Sequence, residues 1–281
     1  MTKKAVLTTG VLTVLIAISA FLFYNVKADG KLDKKNYVQS TTPTLFFHGY
    51  GSSANAERHM TNAAKKAGVT KTVIRANVDR NGAVTLRGDI PKGAINPIVE
   101  VNYEDNRNPI DVGRYAKAVV SKLQEKYGFT KMNMVGHSLG NMSILYYLLE
   151  HAQDENLPQL QKQVNIANFV AGLEAMGLSS DVKVDKTTGQ PNQITQTFQR
   201  LLPLREVFPQ NQIDVLNIYG DYKNGSDGSV LNASSRSLKY LVADNAKSYQ
   251  EKKITGKLAQ HSQLHENQEV DKILIQFLWG K

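Results

Sequence analysis

The segment Gly136-His137-Ser138-Leu139-Gly140 places a serine between two glycines, after an apolar run (Met132, Met134, Val135) and before a helix-like stretch over residues 141–149. A serine on such a strand-to-helix turn holds its hydroxyl clear of neighbouring side chains, as a nucleophile for acyl transfer requires. The amide of Leu139, at the start of the helix, is placed to stabilise the oxyanion that forms when the hydroxyl attacks a carbonyl. A G-x-S-x-G string arises by chance in roughly one chain in ten of this length. Its weight here comes from the flanking strand and helix, and from a second loop upstream. Thr44-Leu45-Phe46-Phe47-His48-Gly49-Tyr50-Gly51-Ser52-Ser53 reads as a buried strand that runs into a small-residue loop. That loop is expected to supply the other half of an oxyanion hole, with the amide of Tyr50 as second donor and His48 as a loop organiser.

A serine hydroxyl is a poor nucleophile at neutral pH, so it needs a base, and the base needs an acid to orient it. Both are expected downstream of the serine, the acid first. Asp221 and Asp227 follow the strand-like residues 213–219. Asp227 is favoured, because Asp227-Gly228-Ser229-Val230 leads directly into an apolar, helix-like stretch that would hold the carboxylate at the rim. Asp221, just after Gly220, has the character of a turn residue. For the base, His261 and His265 both lie between the last strand and the last helix. His261 comes sooner after the strand and is favoured as general base. His265 sits nearer Asn267, a candidate cap for the final helix. Structural or surface positions are expected for His137 and His151, and His59 has no candidate partner.

The elements that must position these groups alternate in type. Strands are expected at residues 44–47, 72–78, 98–103, 163–170, 213–219 and 249–254, with helices at 55–66, 110–127, 141–149, 230–241 and 270–279. Asn81-Gly82 predicts a hairpin joining 72–78 to 84–86. This alternation predicts an α/β fold with a mainly parallel sheet and helices on both faces. Residues 172–209 read as a lid-like insertion, polar except for an apolar patch at Phe198, Leu201, Leu202, Leu204, Val207 and Phe208.

The chain has 281 residues, no cysteine and a formal charge of +9. Without cysteine there is no thiol nucleophile, disulfide or cysteine metal site. Neither H-E-x-x-H nor a phosphate-binding glycine loop occurs, so no metal or nucleotide cofactor is expected. Acidic residues are spread among the basic ones without a dense basic block, which excludes nucleic acid as an expected partner. Lys3 and Lys4 precede a mostly apolar stretch over residues 5–24, so residues 1–28 read as a signal peptide, cleaved near Val26-Lys27-Ala28, or as a retained membrane anchor. Both readings place the bulk of the protein outside the cytoplasm. Residues 29–41 form a linker and residues 42–281 the folded domain.

Over residues 42–279 the chain resembles the α/β-hydrolase superfamily, and more closely the lipase-like cell-surface hydrolases of Gram-positive bacteria. The likeness rests on Phe47-His48-Gly49-Tyr50-Gly51, residues 97–106, Val135-Gly136-His137-Ser138-Leu139-Gly140-Asn141, Ser226-Asp227-Gly228-Ser229-Val230 and His261-Ser262-Gln263-Leu264. It implies Ser138 as nucleophile, Asp227 as acid, His261 as base, and Tyr50 and Leu139 as oxyanion donors. The expected activity is cleavage of a small-molecule or lipid carboxylic ester through an acyl-enzyme, with association to the membrane or cell envelope. An acyltransferase would share every catalytic residue. A non-catalytic surface-binding protein would not need serine, acid and histidine together.

Overall fold

The computed structural model describes residues 31–281, so the expected signal or anchor lies outside the described residues. Among the described residues, eight strands form one sheet: β1 (Thr44–Phe47), β2 (Val73–Val78), β3 (Val84–Arg87), β4 (Ile98–Tyr103), β5 (Lys131–His137), β6 (Gln159–Ile166), β7 (Asp214–Asp221) and β8 (Ser248–Thr255). Their spatial order is β3-β2-β4-β1-β5-β6-β7-β8. All pairings are parallel except β2 with β3, the hairpin signalled by Asn81-Gly82. In its turn, Asp79 Oδ1 accepts from the amides of Asn81 and Ala83 at 2.9 and 2.8 Å.

A parallel sheet covered on both faces needs strands that are apolar on both sides. β1 meets this with four buried residues, Thr44-Leu45-Phe46-Phe47. Leu45 and Phe47 point into one apolar cluster with the helices Val112–Tyr127 and Leu139–His151, while Phe46 points into the other with Arg58–Lys66 and Gln268–Trp279. The alternation of successive side chains across a strand thus sorts one short run into two cores. Because β1 lies between β4 and β5, with Phe47 opposite Gly136, its C-terminal loop opens directly beside Ser138.

Several boundaries differ from the sequence reading. The strand expected at 163–170 is β6, which stops at Ile166 because Ala167 takes a positive φ of 50° and donates its amide to Ile218 O. The helix expected at 230–241 is two short helices, Asn232–Arg236 and Leu238–Val242, separated at Ser237. The first helix begins at Arg58, since residues 54–57 form a turn. In segment 172–209, Phe198, Leu201, Leu204 and Phe208 are buried in the same core as Met142 and Leu145 of the helix after Ser138. Thr195 anchors this piece: its hydroxyl donates to Ala171 O at 2.7 Å and accepts from the amide of Phe198 at 3.2 Å. The apolar character of this patch is therefore core-forming, and the exposed apolar side chains of the segment are Met176 and Ile194.

The helix Leu139–His151 crosses so close to β1 that a Cβ on Gly140 would stand 2.0 Å from Phe47 O, and one on Gly136 would stand 2.7 Å from Gly140 backbone atoms. Neither contact has a flexible side chain to give way. Gly140→Ala is expected to cost about 3 kcal/mol or more of folding stability, because backbone must move to admit the methyl group. Urea denaturation followed by circular dichroism would measure it.

Candidate active site

Ser138 occupies the turn between β5 and the helix Leu139–His151 with φ 52° and ψ −119°. A non-glycine residue in this region costs on the order of 1–3 kcal/mol, so its surroundings must hold it there. The Ser138 amide donates to Ile166 O at 3.0 Å, and its carbonyl accepts from the Asn141 amide at 3.0 Å. Asn141 Nδ2 also donates to Ser138 O and Ile166 O, at 2.8 and 2.9 Å. Asn141 Oδ1 accepts from Asn165 Nδ2 at 3.1 Å, and Asn165 Oδ1 accepts from Gln163 Nε2 at 2.7 Å. These three amide side chains are wholly buried. The bonds between these buried amides fix one geometry, because each lost partner leaves a desolvated polar atom; at the end of the chain, Gln163 Oε1 has no partner among the described residues.

The strand order brings the remaining groups to the same edge. β5 delivers Ser138, the loop after β7 delivers Asp227, and the short helical turn His261–Glu266 after β8 delivers His261. His261 Nδ1–H donates to Asp227 Oδ2 at 2.8 Å, and Ser138 Oγ–H donates to His261 Nε2 at 2.9 Å. The second carboxylate oxygen of Asp227 accepts from the amides of Ser229 and Val230 at 2.9 and 2.7 Å. The acid is only 2% exposed, while Ser138 and His261 remain partly open to solvent. The His261 amide donates to Asp227 O at 2.9 Å, so the two loops are also joined through backbone.

The alternatives lie elsewhere. Asp221 ends β7, where it pairs with Lys253 at 3.2 Å and accepts from the Gly225 amide at 3.2 Å. His265 lies 3.4 Å from Glu266 and contacts neither Ser138 nor Asp227. His48 is buried, donating from Nδ1 to Gly49 O at 2.9 Å and accepting from the Tyr103 amide at Nε2 at 3.1 Å. It ties the loop after β1 to β4, as a loop organiser should, and burial keeps its pKa below the ordinary histidine value. That loop reaches the serine: a Cβ on Gly49 would lie 3.2 Å from Ser138 Cβ. Gly51 donates to Asn106 O at 2.7 Å and Asn106 Nδ2 to Ser52 O at 2.7 Å, which clamps the loop against the segment after β4. Among the described residues, the amides of Tyr50 and Leu139 have no protein acceptor.

His137 has a place that its sequence neighbourhood does not reveal. Its ring is buried beneath His261, with centroids 5.1 Å apart, and meets His265 edge-on at 4.7 Å. Its Nε2–H donates to His261 O at 3.0 Å. Burial, followed by the proximity of His261 and His265, pushes its pKa well below the usual histidine range, so it stays neutral. The elbow thereby grips the backbone of the histidine whose side chain it addresses.

Behind the loop after β1, Glu57 begins the helix Arg58–Lys66 fully buried, and among the described residues neither carboxyl oxygen has a hydrogen-bond partner. Burial, reinforced by Glu100 and Glu266, raises its pKa well above the ordinary carboxyl value. A carboxyl that binds its proton more tightly when folded makes stability fall as pH rises from its unfolded pKa towards its folded one. Glu57→Gln, which stays neutral, is expected to flatten the decline in Tm above about pH 4.5. A parallel decline in both proteins would show that Glu57 does not carry it. Among the described residues, no group of three or more His, Asp or Glu is arranged to hold a metal ion.

Comparison with known proteins agrees with this architecture. A family described as an alpha/beta hydrolase of unknown function (DUF915) matches residues 31–281. The lin2722 product of Listeria innocua is 27% identical, with a TM-score of 0.78 over 85% of this chain and 94% of that one. A candidate cell surface hydrolase of Lactobacillus plantarum WCFS1 is 20% identical, with a TM-score of 0.67 over 84% of this chain and 89% of that one. No functionally curated protein matches the chain. With its eight-stranded sheet and this match along every described residue, the chain belongs to the DUF915 family of α/β hydrolases.

Proposed function

We propose that the protein is an extracytoplasmic serine hydrolase that cleaves carboxylic esters through an acyl-enzyme on Ser138. The observation that carries this reading is the unbroken relay from Ser138 through His261 to Asp227, set on a strained turn beside two unengaged amides. As Ser138 Oγ attacks the ester carbonyl, His261 Nε2 takes its proton, and the buried Asp227 carboxylate stabilises the imidazolium. The amides of Tyr50 and Leu139 receive the oxyanion. His261 then gives its proton to the leaving alcohol, and the ester bond breaks to leave the acyl group on Ser138. Water, deprotonated by His261, attacks that acyl group and releases the carboxylic acid and free serine.

Apolar side chains exposed along the edge of the sheet that carries Ser138 support the reading of an uncharged acyl group. Tyr50, Ile110, Met176, Ile194, Tyr222 and Leu258 are large apolar side chains exposed on loops that follow the C-terminal ends of parallel strands, the edge where Ser138 lies. The test is hydrolysis of p-nitrophenyl esters from acetate to palmitate. The reading expects turnover well above the uncatalysed rate, with a preferred chain length. No turnover of any ester, by protein whose circular dichroism shows it folded, would contradict it.

A further inference from the structure

Lysines that are scattered in the sequence are gathered by the fold onto one side of the molecule. Lys71 precedes β2, Lys131 opens β5, and Lys66 and Lys126 lie in the last turns of the helices Arg58–Lys66 and Val112–Tyr127, which return from the opposite edge. All four are exposed, as are Lys34 and Lys92. They therefore share the edge formed by the N-terminal ends of the strands, on the half that holds β2, β4, β1 and β5. Lys92, Lys126 and Lys131 line a cleft of about 700 Å³ together with Tyr127 and Phe129. Among the described residues, the exposed carboxylates beside this group are Asp89, 3.0 Å from Lys126, and Glu125, which is paired with Lys122 at 2.9 Å. The loops at the opposite edge instead mix lysines with exposed Glu104, Glu174, Asp181 and Asp185.

The chain also enters the domain on this basic side. The amide of Asp33 donates to Gly68 O at 2.9 Å, and the Asn96 amide bonds Ser40 O at 2.6 Å, so residues 33–40 run along the loops that feed β2 and β4. Residues 1–30, with their apolar stretch over 5–24, join at Lys31. Among the described residues, no helix is long and apolar enough to cross a membrane.

We propose that this basic N-terminal edge docks on an anionic lipid surface, with lipid phosphates at the cleft of Lys92, Lys126 and Lys131, so that Ser138 faces away from the bilayer. Lysines near an anionic leaflet add to membrane attachment, and aromatic rings such as those of Tyr127 and Phe129 suit the headgroup layer. A single apolar segment fixes distance from a membrane but not orientation, and the lysine face supplies the second attachment. The inference rests on reading residues 5–24 as a membrane anchor and is independent of the ester chemistry. Its consequence is that substrate reaches Ser138 from the side opposite the membrane that holds the protein.

The absence of cysteine makes the test direct, because one introduced cysteine takes one fluorescent label. The full chain is reconstituted with vesicles of phosphatidylcholine alone, or containing phosphatidylglycerol, that carry an acceptor dye on the lipid. The label is placed at Thr130→Cys, on the basic edge, or at Met176→Cys, on the opposite one. Energy transfer from position 130 is expected to exceed that from 176 several-fold with phosphatidylglycerol. The difference should collapse in the Lys71→Glu/Lys92→Glu/Lys131→Glu variant and in high salt, while that variant still floats with the vesicles. Equal transfer from the two positions, or a difference indifferent to anionic lipid, would overturn the docking. Failure of the full chain to float with either vesicle would overturn it together with the anchor, and leave ester hydrolysis untouched.

Discussion

Ser138→Ala is expected to lower kcat for ester hydrolysis by about 10⁴- to 10⁶-fold while leaving the fold intact. In the proposed mechanism Ser138 Oγ is the only protein atom that bonds the acyl group, so no rearrangement of His261 or Asp227 would restore the pathway. The amides of Tyr50 and Leu139 remain, and a residual rate from oxyanion stabilisation and binding is expected to survive above the uncatalysed reaction. Alanine also suits the fold at this position, because among the described residues Ser138 Oγ bonds only His261, while the turn is held by backbone groups and Asn141. Rates measured beside melting curves for both proteins separate loss of chemistry from loss of structure.

The second large effect separates two aspartates that lie six positions apart in sequence. Asp227→Asn is expected to reduce turnover by about 10³- to 10⁴-fold, because the amide nitrogen can face Nδ1 and favour the wrong imidazole tautomer. The same change leaves the charge of an imidazolium at His261 uncompensated, since Asp227 supplies the carboxylate 2.8 Å from its ring. Asp221→Asn breaks a half-exposed pair with Lys253 and should change turnover by no more than about twofold, as solvent-screened pairs contribute little. Parallel kinetics on the two variants would show the contrast. Comparable losses in both would contradict the assignment of Asp227 over Asp221 as the acid.

These expectations trace back to signals of unequal strength in the sequence. The sheet was legible because parallel strands must be apolar on both faces, and Phe46 and Phe47 satisfied that requirement without reference to any partner. Ser138, Asp227 and His261 were legible because each sits just past a strand, so their order in the chain became proximity at one edge. The role of His137 was not legible, because it depends on a contact with His261 that lies 124 positions away. Asn141, Asn165 and Gln163 were hidden for a related reason. A polar amide within an apolar run signals a buried network, but its partners emerge only when β6 is aligned beside β5. The apolar patch at residues 198–208 shows the opposite ambiguity: hydrophobicity marks a surface that will be covered without saying by what, and here the cover is the main core. The lysine face is the extreme case, since no window of sequence contains it.

Ser138 as the covalent nucleophile is the claim on which the rest depends, and trapping it is the most direct measurement. The protein is incubated with a fluorophosphonate, digested, and mapped by mass spectrometry, alongside Ser138→Ala and Asp227→Asn. One adduct is expected, on the peptide carrying Ser138, formed slowly in Asp227→Asn and absent from Ser138→Ala. Labelling of another residue, or equal labelling of the Ser138→Ala protein, would contradict it.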